Sequence, residues 1–223
     1  MRALLFDVFG TCVDWRSSIR RLGHRFGLPD EFADDWRAQY QPQLETVRSG
    51  RRPWVNLDVL HRIGLDLVLA GYDRDLPERF RRTLVQGWHE LDPWPDTVAG
   101  LTAIKRSKII APCSNGHIAQ SVNLAKHAGL PWDAILGAEI ARAYKPDPRV
   151  YTAAADALQL DHEDVCLVAA HNSDLQAAQR LGFRTAFVPR PTEHGHGQTS
   201  DLAPAGRFDI VAVNFLDLAE QVI

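Results

Sequence analysis

The first six residues, Met1-Arg2-Ala3-Leu4-Leu5-Phe6, form a mainly apolar run that ends at Asp7 and reads as a buried strand. From Ser17 to about Glu90 the apolar positions recur at helical spacing. Gly27-Leu28-Pro29-Asp30, Arg48-Ser49-Gly50 and Gly71-Tyr72-Asp73 cut that stretch into helices of ordinary length. After Pro93-Trp94-Pro95-Asp96 the pattern alternates. Residues 109–113 read as a strand, followed by a helix to about His127, a short strand near Ile135 and a helix over 149–157. Residues 165–170 are a second buried strand, followed by a helix over 174–181, strands over 185–188 and 210–213, and a C-terminal helix. Strands alternating with helices predict an α/β fold, a doubly wound, Rossmann-like parallel sheet. The long helical stretch after the first strand predicts an inserted all-helical cap at residues 15–92, with the core formed by 1–14 and 93–223. Residues 189–207, rich in proline, glycine and histidine, read as a surface loop.

A chain of 223 residues is long enough for one core and a small inserted unit. The formal charge is −3, and the arginines between residues 16 and 82 are interleaved with acids and aromatics. There is no basic field for nucleic acid. No apolar run reaches ~18 residues and no secretory pattern precedes Asp7, so no membrane partner and a cytoplasmic location are expected. Cys12, Cys113 and Cys166 sit among apolar residues without metal-ligand spacing and read as small core hydrophobes. His194 and His196 stand in a loop without further ligands, which argues against a metal there.

The chemistry-bearing residues follow the predicted strands. Asp7 and Thr11 follow the first and Ser114-Asn115-Gly116 the next; Lys145 follows the short strand, and His171, Asn172 and Asp174 follow the fourth. The carboxyl ends of parallel strands open on one crevice, where such sheets place ligands. Asp7 can be a nucleophile, a metal ligand or a helix cap. Ser114 and Asn115 can bind substrate or form the Gly116 turn, Asp174 can catalyse or cap a helix, and Tyr151 can line a site or pack in the core.

Together, Phe6-Asp7-Val8-Phe9-Gly10-Thr11, Ser114-Asn115-Gly116, Lys145-Pro146-Asp147 and the Asp174 turn resemble the four motifs of the haloacid dehalogenase superfamily, along the whole chain. Its phosphatases carry an aspartate two residues after the nucleophile and a metal-binding aspartate after the fourth strand. Phe9 and Ala170 stand at those positions here. Trp36-Arg37 with Gln39 and Tyr40, and Lys145 followed by Tyr151, are instead similar to the L-2-haloacid dehalogenases.

That resemblance implies hydrolytic dehalogenation of short 2-haloacids, such as haloacetates and L-2-halopropionate, to 2-hydroxy acids. It implies no metal or other cofactor, and a possible homodimer. It makes Asp7 the nucleophile of an aspartyl-ester intermediate, ionised beside Lys145. Arg37 and Asn115 are the candidates to receive the halide and Ser114 to hold the substrate carboxylate, while Phe9 and Tyr151 border the substrate. Thr11 and Asp174 complete the catalytic set. The serine and asparagine that help hold the hydrolytic water in better-known members correspond to Ala169 and His171, so a neutral His171, in concert with Asp174, is expected to activate it. The apolar and aromatic residues Phe9, Trp15, Trp36 and Tyr40 predict a small pocket closed by the cap. Two rival readings remain. One is a Mg²⁺-dependent phosphatase of small molecules, which needs another acid in place of Phe9. The other is a non-catalytic binding module, which has no use for Asp7, Lys145 and Asp174 together.

Overall fold

Ala3, Leu4, Leu5 and Phe6 have no exposed surface on either face, so their strand must lie inside a sheet covered on both sides. A computed structural model describing residues 1–223 places it there. The chain begins with β1 (Ala3–Phe6) and β2 (Val13–Asp14). Five helices follow: α1 (Trp15–His24), α2 (Phe32–Ala38), α3 (Tyr40–Arg48), α4 (Leu57–Gly71) and α5 (Glu78–Gln86). Then come β3 (Asp92–Pro93), α6 (Thr97–Lys105), β4 (Ile109–Ser114), α7 (Ile118–Ala128), β5 (Leu136–Gly137), α8 (Ala138–Ala141) and α9 (Pro148–Ala157). The chain finishes with β6 (Val165–Ala169), α10 (Asn172–Gln179), β7 (Arg184–Phe187), β8 (Ile210–Val211) and α11 (Phe215–Val222).

Six strands form one parallel sheet in the order β5-β4-β1-β6-β7-β8. The chain builds outward from β1 on one side and then on the other, so the switch point lies at β1, where Asp7 emerges. Successive residues of β1 serve opposite layers. Leu4 and Phe6 join an apolar cluster that continues through Trp15, Trp36 and Trp88, whereas Ala3 and Leu5 join one with Tyr151 and Phe187.

The helical segment is entered through β2 and left through β3, which pair antiparallel. Its helices start where capping residues allow. Asp14 accepts from the Ser17 amide at the head of α1, and Asn56 accepts from the Val59 amide at the head of α4. Trp88, in a one-turn 3-10 helix at Gly87–His89, holds the segment to the sheet. Its ring stacks on His61 at 4.3 Å and on Trp15 at 6.2 Å, and meets Trp36 and Phe9 edge-on at 5.5 and 6.0 Å.

Three local features differ from the sequence reading. Helix α6 shows little hydropathy contrast, because Thr97 and Gly100 share its buried face with Leu101 and Ile104 while Ala99 stands on its exposed face. Gly100 lies so close to α11 that an added Cβ would fall 2.5 Å from the Phe215 Cβ. The last strand stops at Val211 rather than Val213. Residues 189–207 are not simply a surface loop, since Arg190 and Glu193 are buried. The Arg190 guanidinium pairs with Asp96 at 2.7 and 3.0 Å and donates to the Thr11 carbonyl at 2.9 Å, which pins the loop beside the turn after β1. All three cysteines are buried and free, and no helix is long and apolar enough to cross a membrane.

Candidate active site

The turn after β1 is shaped to present Asp7. The amides of Cys12 and Val13 both donate to the Val8 carbonyl, which folds residues 8–13 back on themselves. Gly10 has φ +84°, and a Cβ there would fall 2.0 Å from Glu193 Oε1, so both backbone conformation and space require glycine. Thr11 ties the turn to β6. Its hydroxyl donates to Asp7 Oδ2 at 2.8 Å and accepts from the Ala170 amide at 2.9 Å.

Five ionisable side chains form a row of alternating charge through Asp7. Asp174 Oδ2 is 2.6 Å from Lys145 Nζ, which lies 3.4 Å from Asp7 Oδ1. Asp7 Oδ2 is 3.1 Å from His171 Nδ1, and His171 Nε2 is 2.8 Å from Glu193 Oε2. The row is capped at both ends: Tyr151 donates to Asp174 Oδ1 at 2.6 Å, and Trp15 Nε1 donates to Glu193 Oε1 at 2.9 Å.

Burial alone disfavours the charges on Asp7, Lys145, His171 and Glu193, and their neighbours reverse it. Burial pushes the Asp7 carboxyl up, but Lys145, His171 and the Thr11 hydroxyl together hold it below the usual carboxylate range. Burial disfavours the Lys145 ammonium, yet Asp174 and Asp7 keep it well above its ordinary value. Burial likewise opposes charge on His171, but Glu193 and Asp7 hold it well above the ordinary histidine value. Glu193 is lowered against burial, chiefly by His171. Burial, reinforced by Asp174, raises Tyr151, which therefore stays a donor.

This corrects the expected neutral His171. Each ring nitrogen faces a carboxylate oxygen, and an imidazole donates to both only when doubly protonated. In the resting site His171 is a second cation on Asp7, and no lone pair is free to accept a proton from water. Glu193, which enforces that state, went unnoticed in the sequence. It lies among prolines and glycines without motif spacing, and only the close approach to Gly10 betrays its place.

Asp7, Phe9, Arg37, Asn115, Lys145, Tyr151, His171 and Asp174 all border a single cavity of about 660 Å³. Ser114 does not. Its hydroxyl is buried and accepts from the Gly116 amide at 3.1 Å, so it forms the turn rather than meeting a substrate carboxylate. Asn115 braces the site, donating to the Tyr40 hydroxyl at 2.9 Å and accepting from the Lys145 amide at 2.8 Å. Asp174 lies in the first turn of α10, with its carboxylate given to Lys145 and Tyr151 rather than to a helix cap. Of the four aromatic residues expected to shape the pocket, Phe9 and Tyr40 line the cavity. Trp15 and Trp36 are buried in the core behind it, and most residues around the cavity are polar or charged, Arg48 and Arg180 among them.

Arg37 brings positive charge from α2. Its guanidinium lies 4.0 Å from the Tyr40 ring centroid and 5.2 Å from that of Trp15. Its buried Nη1 has no hydrogen-bond partner, and a buried cationic donor without an acceptor is suited to an anion. The Asp7 side offers no comparable place for Mg²⁺. That ion wants several oxygen ligands, whereas Lys145 Nζ lies between the two carboxylates and Ala170 brings no side-chain oxygen.

Residues 1–182 match the haloacid dehalogenase-like hydrolase family. The chain is 30% identical over 207 residues to an (S)-2-haloacid dehalogenase of Pseudomonas sp. (strain YL), covering 90% of this chain and 89% of that one. It is 28% identical over 217 residues to (S)-2-haloacid dehalogenase 4A of Burkholderia cepacia, covering 92% and 94%. Among solved structures, a defluorinating L-2-haloacid dehalogenase superposes with a TM-score of 0.97 at 48% identity, covering 100% of this chain and 95% of the other. A second L-2-haloacid dehalogenase gives 0.97 at 46% identity, covering 100% and 98%. With this fold, these motifs at the ends of its strands and a match over most of its length, the chain belongs to the haloacid dehalogenase-like hydrolases.

Proposed function

We propose that this protein is a 2-haloacid dehalogenase, converting short 2-haloacids such as haloacetates and L-2-halopropionate to 2-hydroxy acids through an ester on Asp7. The observation that carries this reading is an Asp7 carboxylate flanked by two cations, Lys145 and His171, on a cavity that Arg37 also enters. The helices of residues 15–92 act as the cap and bring Arg37 to the reacting carbon.

An Asp7 oxygen attacks the carbon from the side opposite the halogen. The new C–O bond forms as the carbon–halogen bond breaks, configuration inverts, and the halide leaves toward Arg37. The ester carries no charge, so Lys145 and His171 both lose an anionic partner; with Oδ1 as the attacking oxygen, His171 and Thr11 go on donating to Oδ2, now the ester carbonyl. Water adds to the Asp7 carboxyl carbon and gives a proton to Asp174. Collapse breaks the acyl–oxygen bond, and the departing alkoxide takes that proton to become the 2-hydroxy acid. Asp7 is left as a carboxylic acid, and its two cationic neighbours favour release of the second proton to solvent. A phosphatase reading gains nothing from this site, where the Lys145 ammonium lies between the carboxylates and Phe9 supplies no acid.

Halide release from chloroacetate, fluoroacetate and each enantiomer of 2-chloropropionate, measured with chelator present, tests the proposal. Chelator-resistant release that favours the L enantiomer is expected. Phosphate release from a generic ester with Mg²⁺, without halide release, would overturn it.

The charge row also sets the pH dependence. Asp7 is depressed, so the acid limb of kcat/KM should lie below about pH 4, the ordinary carboxylate value. The corresponding stability is present above that value and is lost as pH falls through the folded pKa. His171 is raised, so its contribution is complete below about pH 6.5 and is lost as pH rises through its folded value. The alkaline limb should therefore fall above pH 6.5. A pH–rate profile with an alkaline midpoint at or below about 6.5 would return His171 to the neutral state.

A further inference from the structure

Three side chains remote in sequence meet where the helical segment joins the sheet domain, away from the cavity of Asp7. Asp58 lies in the first turn of α4, His89 closes the one-turn helix at Gly87–His89, and His117 stands at the head of α7. His89 Nε2 is 2.9 Å from Asp58 Oδ1, and His117 Nε2 is 3.5 Å from Asp58 Oδ2. One ligand atom from each residue can be chosen so that no two lie farther apart than 4.8 Å. We propose that Asp58, His89 and His117 form a binding site for a divalent transition metal such as Zn²⁺, joining the helical segment to the sheet domain.

The chemistry of the donor set points to that class. Two imidazoles and one carboxylate suit zinc, cobalt or nickel, whereas Mg²⁺ and Ca²⁺ prefer oxygen alone. Bonds of about 2.0–2.2 Å place tetrahedral ligand atoms roughly 3.3 Å apart, so contraction of at most about 1.5 Å closes the set. The two imidazole side chains are 4% and 6% exposed, while Asp58 at 30% leaves a side open to water as a fourth ligand.

A second observation concerns the hydrogen bonds. His117 Nδ1 is buried without a partner, and its Nε2 points at Asp58 from beyond a good hydrogen-bond distance. With no strong hydrogen bond fixing the proton at either ring nitrogen, Nε2 is left to take a ligand beside Asp58. His89 has an amide beside the ring nitrogen that a metal would leave free. The Asn123 amide nitrogen lies 3.0 Å from its Nδ1, and metal binding through Nε2 needs that amide turned so that its oxygen accepts from Nδ1.

The site predicts a restraint on the joint between the two units rather than a catalytic role, because none of its three residues borders the catalytic cavity. Its failure and that of the dehalogenase reading are therefore distinguishable. The test is titration of the chelator-stripped protein with Co²⁺, followed by visible absorption and then displacement by Zn²⁺. One Co²⁺ per chain with tetrahedral absorption bands is expected, together with a higher melting temperature at saturating metal. Asp58→Asn and His117→Gln should each weaken binding at least about tenfold, while His24→Gln and His196→Gln leave it unchanged. His117→Cys should add a thiolate-to-cobalt charge-transfer band, which identifies the ligand even if the removal variants fold poorly. Halide release in chelator should persist in Asp58→Asn. Absence of saturable binding, affinity unchanged in His117→Gln, or a His117→Cys spectrum without the new band would overturn the site.

Discussion

Replacing Asp7 by asparagine is expected to lower kcat for halide release by at least about 10⁴-fold, the scale on which loss of a nucleophile acts. An amide oxygen has neither the charge nor the basicity to displace a halide, and Lys145 and His171 cannot restore either. The protein should nevertheless fold. Lys145 keeps Asp174 at 2.6 Å and His171 keeps Glu193 at 2.8 Å, so neither cation is left buried and alone. Rapid quenching followed by intact mass measurement should reveal an ester adduct in the parent enzyme and none in Asp7→Asn. If the variant retained more than about 1% of activity, or carried the adduct on another residue, Asp7 would not be the nucleophile.

Glu193→Gln should lower kcat/KM about 10²-fold at pH 8, with most of the loss recovered toward pH 6. Glutamine can still accept from Trp15 Nε1, so that contact survives. The amide nitrogen then faces His171 Nε2, and two donors cannot share that position. The ring must present a lone pair to the amide and keep its proton on Nδ1 toward Asp7. His171 thus loses its strongest reason to stay charged, and Asp7 loses one of its two cations. Lower pH restores the imidazolium, which is why the defect should depend on pH. A loss of equal size at every pH would mean that Glu193 only supports packing. Glu193→Ala goes further, leaving a buried pair broken at a cost of about 3–5 kcal/mol, and should lower the melting temperature as well.

The elements legible in the sequence were those whose environment is uniform. Leu4-Leu5-Phe6 and Val165-Cys166-Leu167-Val168-Ala169 are buried on both faces, and an unbroken apolar run records that directly. Helices α1 and α4 have one wet side and a capping residue, so spacing and caps mark them. Helix α6 escaped because its faces differ little in hydropathy: Thr97 and Gly100 lie on the buried side with Leu101 and Ile104, and Ala99 lies on the exposed one. The loop after β7 misled for the opposite reason. Its proline and glycine content describes the backbone correctly but says nothing about Glu193 turning inward over Gly10.

The sequence by itself determined the fold class, the order of the main strands and of most helices, and the cluster of Asp7, Asn115, Lys145 and Asp174 at one edge of the sheet. Each of these follows from local patterning or from the rule that the carboxyl ends of parallel strands share an edge. Only the tertiary structure decided which charges touch. It placed Glu193 against His171 and so made that ring a cation, turned Ser114 away from the cavity, and brought Asp58, His89 and His117 together across a joint. A side chain's protonation state and partners depend on distances of a few ångströms between segments far apart in the chain, and no local pattern records them.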